Sequence, residues 1–186
     1  MGVAEAVTVF DDITDMVNTT SVPLDSGLQV LAYKADFCDG FEVSIANDNR
    51  SALYWYLDVV GRTPRWIEFL MSIRNFAVGF FHLKNVGNLS DVPPPAAAES
   101  LRIGDRVGIF TIRSVCDKEV LLEIIDTHLD VVLSVYRDDG SFPKLKVITM
   151  VFNHNVLGQL YMLPVAPLHK VIVRAMLSNH DRVITR

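Results

Sequence analysis

The feature that most constrains this chain is its C-terminal segment, residues 157–179, which carries the longest helical pattern in the sequence. Its apolar side chains recur at three- and four-residue steps, at Leu160, Leu163, Leu168, Ile172, Ala175 and Met176. This spacing is typical of an amphipathic helix with one buried face. Because Pro164 and Pro167 each remove a backbone donor, we expect a short first turn, a kink, and a main helix that begins near Val165.

The segments before this helix predict two shorter helices and a series of strands. One or two strands are expected within residues 28–45. A helix is expected over residues 52–60, with Ser51 as its N-cap and Gly61 after its end, and a second helix begins at Thr63-Pro64. A stiff proline-rich loop and four strand-like runs follow, at residues 93–100, 106–116, 119–128, 130–137 and 144–154.

This order of elements predicts an α+β fold of the helix-grip type. In that arrangement a curved antiparallel β-sheet packs against a long, kinked C-terminal helix, and two shorter helices are inserted after the first strand. Residues 1–20 form an acidic amphipathic stretch that we interpret as an N-terminal extension, and residues 21–186 are expected to form a single domain.

The second of the short helices carries an aromatic stripe. The members that keep its helical period include Trp66, Phe69, Leu70, Ile73, Phe76 and Phe80. A stripe of this kind indicates ordinary core packing or the wall of a ligand pocket.

Composition and charge exclude several classes of function. A formal net charge of −5 argues against nucleic acid as a partner, because phosphate neutralisation needs clustered lysine and arginine. The two cysteines, Cys38 and Cys116, are too few for a disulfide framework and lack the spacing of a zinc site. The N-terminus is acidic where a secretory signal is basic, and no uninterrupted apolar run approaches the length of a membrane span. We therefore expect a cytoplasmic protein with no membrane span.

A set of short motifs is spread over about residues 21–180: Pro64-Arg65-Trp66, Leu70-Met71, Arg74-Asn75, Val107-Gly108, His128-Leu129-Asp130, Gly158-Gln159-Leu160-Tyr161, Pro167-Leu168-His169 and Leu177. In these motifs the chain resembles the bacterial domain-of-unknown-function family 2867. The resemblance implies a relation to the START and Bet v 1 ligand-binding superfamily, and it implies no activity. Similar domains also follow dinucleotide-binding dehydrogenase-like domains, so the resemblance makes a dehydrogenase-like protein a candidate partner.

Three titratable residues near predicted strand ends are candidates for acid–base chemistry. Asp126 and His128 lie two apart on a predicted strand and so leave the same face, and His154 ends another strand that could meet it. A carboxylate beside an imidazole can orient a general base, although a histidine at a strand end also commonly bonds a backbone carbonyl. We expect no metal here, because a third ligand is not assured.

The inward aromatic residues favour a binding module, with a cavity between the sheet and the C-terminal helix that takes a small, largely apolar molecule. The residues expected to bind it are Trp55, Trp66, Phe69, His128, His154, Tyr161 and His169. The alternative is an enzyme that uses the same cavity with Asp126, His128 and His154 as acid–base groups. No cofactor is expected, because no P-loop, GxSxG or correctly placed GxGxxG motif occurs.

Overall fold

In the part of the chain that the structure describes, seven strands form one antiparallel sheet in the order β1-β2-β7-β6-β5-β4-β3. The structure, a computed structural model, describes residues 17–79 and 88–184. It describes the side chains of these residues except at 76–79 and 180–184. Predicted strands at 130–137 and 144–154 are confirmed to within a residue or two, because each is a run of β-branched and aromatic side chains between polar turns. The strands are β1 (Asn18–Thr19), β2 (Phe37–Ser44), β3 (Arg106–Val107), β4 (Phe110–Val115), β5 (Glu119–Ile125), β6 (Leu129–Asp138) and β7 (Lys144–Asn153).

The inner face of the sheet packs against helices. Helix α2 (Ala52–Gly61) buries its centre there, with Leu53, Trp55 and Leu57 almost fully enclosed. Its predicted start is confirmed, because the Ser51 hydroxyl accepts a hydrogen bond from the Tyr54 N–H at 3.2 Å. The sheet contributes inward side chains to the same core, including Phe41, Val43, Val120, Leu122, Leu133, Val135 and Leu145.

The outer face of the sheet is covered by residues 22–35, and this differs from the expectation. One or two strands were predicted within residues 28–45; one is present as β2, whereas helix α1 (Gln29–Ala32) occupies the first part of this range. Leu28 is fully buried in a second apolar cluster with Leu121, Val132, Ile148 and Met150. The outer face needs apolar cover, and a short helix supplies it where local propensity alone favoured a strand.

A single carboxylate ties this covering segment to the sheet. Glu119 Oε1 accepts hydrogen bonds from the Ser26 hydroxyl at 2.5 Å and from the Ser134 hydroxyl at 2.6 Å. Its Oε2 accepts from the Gly27 N–H at 2.9 Å. Bonds between residues so distant in sequence hold the segment against β5 and β6.

The covering segment, residues 22–35, also makes a pH-dependent contribution to stability through Asp25. Lys118 and the Tyr136 hydroxyl lie 2.6 and 2.7 Å from its carboxylate oxygens, and they lower the pKa of Asp25 from 3.8 to about 2. Because the folded-state pKa is depressed, the contribution is complete above the ordinary pKa and is lost as the pH falls through about 2. We expect Asp25→Asn to lower the melting temperature at pH 6, with the difference from the unmodified protein vanishing near pH 1.5 to 2.

Lys118→Met provides the matched partner for this measurement. Since it removes the same ion pair from the other side, its melting temperature should converge with that of the unmodified protein over the same pH range. If the melting temperatures of Asp25→Asn and the unmodified protein differed by the same amount from pH 6 to pH 2, the proposed contribution of Asp25 would be contradicted.

The C-terminal helix, α4 (Val156–Ile184), is one continuous helix, so the predicted short first turn with a main helix from Val165 is wrong. Its start is set by Asn155, whose side-chain oxygen accepts from the N–H groups of Leu157 and Gly158 at 3.1 and 3.2 Å. Both prolines lie within the helix on its exposed side. The carbonyls that they leave without intrahelical donors are therefore near water.

The buried face of α4 also differs from the predicted one in the first half of the helix. Met176 is buried, but Leu160, Leu163 and Leu168 are exposed. The rotation is determined by Gly158, because a Cβ at this position would lie 2.3 Å from the carbonyl oxygen of His128. Residues at helical spacing from Gly158 consequently face the sheet, at Met162, Val165, His169, Val173 and Met176.

Helix α3 (Arg65–Gly79) starts where it was predicted, but its aromatic stripe does not enter the core. Ile67 is fully buried, whereas Trp66, Phe69 and Ile73 are exposed. The side chains of Phe76 and Phe80 lie outside the described residues. The proline-rich segment is also more regular than expected, because Pro95–Ser100 forms a 3-10 helix.

Candidate functional site

A polar cluster lies on the inner face of the sheet, under the middle of α4. Asp39 of β2 and Thr149 of β7 are direct cross-strand partners, so their side chains leave the sheet together. His169 of α4 reaches down to both, with Nδ1 at 3.0 Å from Asp39 Oδ2 and Nε2 at 3.4 Å from Thr149 Oγ1. The three residues come from three elements that only the tertiary fold brings together.

The hydrogen bonds of this cluster determine where its protons lie. A carboxylate can only accept, so the close contact with Asp39 places a proton on His169 Nδ1. In the neutral imidazole Nε2 then carries the lone pair, and it faces the Thr149 hydroxyl. A base oriented by a carboxylate and directed at a hydroxyl is an arrangement that can take up a proton.

The second carboxylate oxygen of Asp39 is the most informative atom of the site. The Asp39 side chain is only 8% exposed, and Oδ1 has no hydrogen-bond partner among the described residues. A buried acceptor without a donor is costly, on the order of 1–3 kcal/mol. Such an atom is suited to a donor that comes from a ligand or from a buried water.

The surroundings of the pair are apolar. The Phe37 ring meets the His169 ring edge-on, with 6.2 Å between the ring centroids. Val131 and Val147 also point to the inner face, yet both are only partly buried. The helices therefore do not fully cover this part of the sheet, and a partly exposed apolar surface borders the buried Asp39–His169 pair.

Tyr161 lies two turns before His169 on α4, as its spacing predicts. Its hydroxyl accepts a hydrogen bond from Arg74 Nε of α3 at 3.1 Å, and the guanidinium carbon lies 5.9 Å from the centre of the ring. Tyr161 thus connects α4 to α3. The structure gives it this contact in place of a position in the polar cluster.

The predicted trio of Asp126, His128 and His154 occupies the end of the sheet next to the start of α4. Strand β5 ends at Ile125, so Asp126 and His128 lie in the turn before β6, and the prediction that both lie on a strand is wrong. The strand ends do meet, because the His154 N–H donates to the His128 carbonyl at 2.9 Å.

The two histidine rings of this trio contact different partners. His128 Nδ1 lies 3.2 Å from Asn155 Oδ1, and His154 Nε2 lies 3.1 Å from Asp130 Oδ2. Among the side chains that the structure describes, no group of three or more from His, Cys, Asp or Glu is arranged to hold a metal ion. Each of these histidines therefore makes a pairwise contact that gives it a structural role at this end of the sheet.

A depression of about 280 Å³ lies beside this turn. It opens mainly on the side of the sheet that α1 covers, and Ile124 and Val131 connect it with the edge of the inner face. Its walls mix apolar and charged groups, including Leu31, Lys34, Glu123, Asp130, Val131 and Phe152.

The tryptophans and Phe69 do not converge on the polar cluster. Trp55 of α2 is 2% exposed and packs in the core. Trp66 and Phe69 lie on the outer side of α3 and are exposed.

Cys38 lies on β2 next to Asp39, and its side chain leaves the opposite face of the sheet. Partial desolvation together with the Asp39 charge raises the pKa of its thiol. The thiol is therefore held in its protonated, unreactive form.

Asp39 and Thr149 were not identified from the sequence, although one signal was present. The inward series of β2 is Phe37, Asp39, Phe41 and Val43. An acidic residue in an otherwise apolar phase of a strand is a candidate buried charge, and buried charges need a partner. Its partner, His169, is 130 positions away in the chain.

This architecture defines a class: an α+β protein in which a seven-stranded antiparallel sheet and a C-terminal helix enclose an aspartate–histidine pair. The chain matches the family described as Protein of unknown function (DUF2867) over residues 31–176, and it belongs to that family. The matched region includes Asp39, Thr149 and His169. No curated protein and no solved structure matches the chain.

Proposed function

We propose that this protein binds a small, largely apolar molecule between the inner face of its sheet and α4, in the manner of a helix-grip domain related to the START and Bet v 1 proteins. The observation that carries the proposal is Asp39 Oδ1, a buried acceptor without a donor in apolar surroundings. Ligand sites commonly combine an apolar lining with a few polar groups that orient the ligand. Here the orienting group is the pair of Asp39 and His169.

The chemistry of the pair selects the polar end of the ligand. Asp39 offers an acceptor, and His169 Nδ1 is already committed to the same carboxylate. A ligand hydroxyl or amine can therefore donate to Oδ1, whereas a ligand carboxylate would face a like charge. The favoured ligand has an apolar body and one donor group.

Affinity is expected to be moderate for a generic ligand. Burying about 300 Å² of apolar surface gains roughly 7 kcal/mol at the usual coefficient. Costs of association and ordering offset much of this gain, so micromolar or weaker binding is expected without the cognate molecule.

The test compares 1-decanol with decanoic acid by titration calorimetry. We expect the unmodified protein to bind decanol saturably and decanoate at least ten times more weakly. Asp39→Asn should weaken decanol binding by roughly 10-fold or more, because a hydrogen bond to a charged group is lost. His169→Leu should leave the preference for decanol over decanoate in place, because the Asp39 carboxylate that sets this preference remains.

Asp130→Asn is the matched control, since Asp130 is also a carboxylate that pairs with a histidine. It should leave both affinities unchanged. If neither compound binds, or if Asp130→Asn acts where Asp39→Asn does not, the anchor at Asp39 is refuted.

The order of Asp39, His169 and Thr149 favours one second candidate, an enzyme in which His169 is the base. In that case p-nitrophenyl butyrate, a generic acyl ester, should be hydrolysed with a rate that depends on His169 and on the Thr149 hydroxyl. Loss of turnover in both His169→Ala and Thr149→Val, with full turnover in Asp130→Asn, would favour the enzyme. Decanol binding without turnover would favour the binding protein.

A further inference from the structure

The outer side of α4 presents a continuous apolar stripe to solvent. Its members follow helical spacing on the side opposite to Gly158, and the most exposed of the leucines, Leu163, is 71% exposed. All of its side chains lack hydrogen-bonding groups. They are Val156, Leu160, Leu163, Pro164, Pro167, Leu168 and Val171.

Helix α3, which contacts α4 through Arg74 and Tyr161, carries further exposed apolar side chains. Trp66, Phe69 and Ile73 lie on its exposed side, and Phe69 is 65% exposed. The hydrogen bond between Arg74 and Tyr161 places the two helices in contact. We call the α4 stripe and these three residues the outward apolar face. Exposed apolar patches of this kind mark interaction sites, because soluble proteins rarely leave them uncovered.

Basic side chains outnumber acidic ones on the two helices that carry the outward apolar face. Residues 156–179 contain no Asp or Glu and carry Lys170 and Arg174, while the whole chain has a net charge of −5. Helix α3 adds Arg65 and Arg74. Its one carboxylate, Glu68, already accepts a hydrogen bond from the Ser90 N–H at 2.9 Å. Arg174 stacks on Phe41 of the sheet, with its guanidinium carbon 5.2 Å from the ring centre, so Lys170, Arg65 and Arg74 form the local cationic rim of the apolar face.

We propose that the outward apolar face docks onto an anionic phospholipid surface, with α4 lying parallel to the bilayer plane. Apolar side chains would enter the boundary between headgroups and acyl chains, Trp66 would lie at the interface, and the cationic rim would meet anionic headgroups. Residues Val156–Asn179 are long and apolar enough, by length and composition, to cross a membrane, and 11% of the most apolar window is buried in the protein.

Three observations favour this surface position over a span or a second copy. Val173, Met176 and Leu177 are buried in the core, so α4 cannot leave the domain to cross a bilayer without unfolding it. The prolines remove the helical donors to the carbonyls of Leu160 and Leu163, and these carbonyls need the water that remains at an interface. A symmetric dimer through this face would bring two cationic rims together without carboxylates to pair them.

The experiment is vesicle flotation with the full chain. Vesicles of phosphatidylcholine alone are compared with vesicles that contain about one quarter phosphatidylglycerol, at low and high salt. We expect at least tenfold stronger binding to the anionic vesicles, weakened by salt. Leu163→Glu should reduce this binding at least tenfold, because it places a carboxylate in the centre of the face.

Phe142→Glu is the matched control, because Phe142 is 84% exposed in the turn between β6 and β7 and lies outside the face. It should bind as the unmodified protein does, and circular dichroism should show that both variants fold. Absence of binding to anionic vesicles would overturn the proposal. So would a dimer in light scattering that Leu163→Glu dissociates while vesicles bind neither form.

Discussion

Replacing Met176 by aspartate is expected to lower the free energy of unfolding by about 3–5 kcal/mol. Met176 is 8% exposed and packs in the main core with Val173 and Leu177. A carboxylate there would be buried without a partner, so it must either remain charged at high cost or take up a proton. Ile172→Asp is expected to cost less, because Ile172 is only partly buried.

The control for this variant is Leu163→Asp on the same helix. Leu163 belonged to the stripe that the sequence predicted to be buried, yet it is exposed. Its replacement should change the free energy of unfolding by no more than about 0.5 kcal/mol. Urea denaturation measures both. Equal destabilisation by the two substitutions would show that the structure has assigned the wrong face of α4 to the core.

Replacing Gly158 by alanine is expected to destabilise the protein by roughly 2–4 kcal/mol. Inside a helix this change normally stabilises by up to about 1 kcal/mol, so the expected sign is reversed. The reason is steric, because the new Cβ would lie 2.3 Å from His128 O and 3.1 Å from Asn153 Oδ1. The carbonyl is part of the backbone turn before β6 and cannot move as a flexible side chain could.

Gly61→Ala provides the comparison at the end of α2. The nearest atom to a Cβ there is Val92 Cγ2 at 3.9 Å, which is an ordinary contact. This variant should be neutral or slightly stabilising in the same urea experiment. If Gly158→Ala were also neutral, the close approach of α4 to the β6 turn would not be what determines its rotation.

Local patterns were sufficient for much of the fold. Helix α2 was predicted with its cap because Ser51, the apolar run and Gly61 are adjacent in the chain. Strands β6 and β7 were predicted because β-favouring runs and turn residues are likewise short-range signals. The 3-10 helix at Pro95–Ser100 was missed, since proline content suppressed the prediction of any regular element.

The candidate site was predictable only in part. His169 and Tyr161 were identified from their positions on the C-terminal helix. His169 contacts Asp39 at 3.0 Å, while Tyr161 contacts Arg74 at 3.1 Å. Asp126 and His128 were predicted to share a strand face that His154 could meet, but the two histidine rings contact Asn155 and Asp130. Side-chain partners depend on loop geometry that a strand pattern does not contain.

The sequence by itself determined that residues 157–179 are helical and apolar, and that strands precede them. It did not determine which side of this helix meets the sheet. Helix α4 has apolar residues on two sides, and the spacing of these residues does not favour one side over the other. The tertiary structure decided this through the contact of Gly158 with the carbonyl of His128. That rotation turns His169 toward Asp39 and leaves Leu160, Leu163 and Leu168 outside. A contact between residues far apart in the chain, and not a local propensity, therefore separates the candidate site from the outward apolar face.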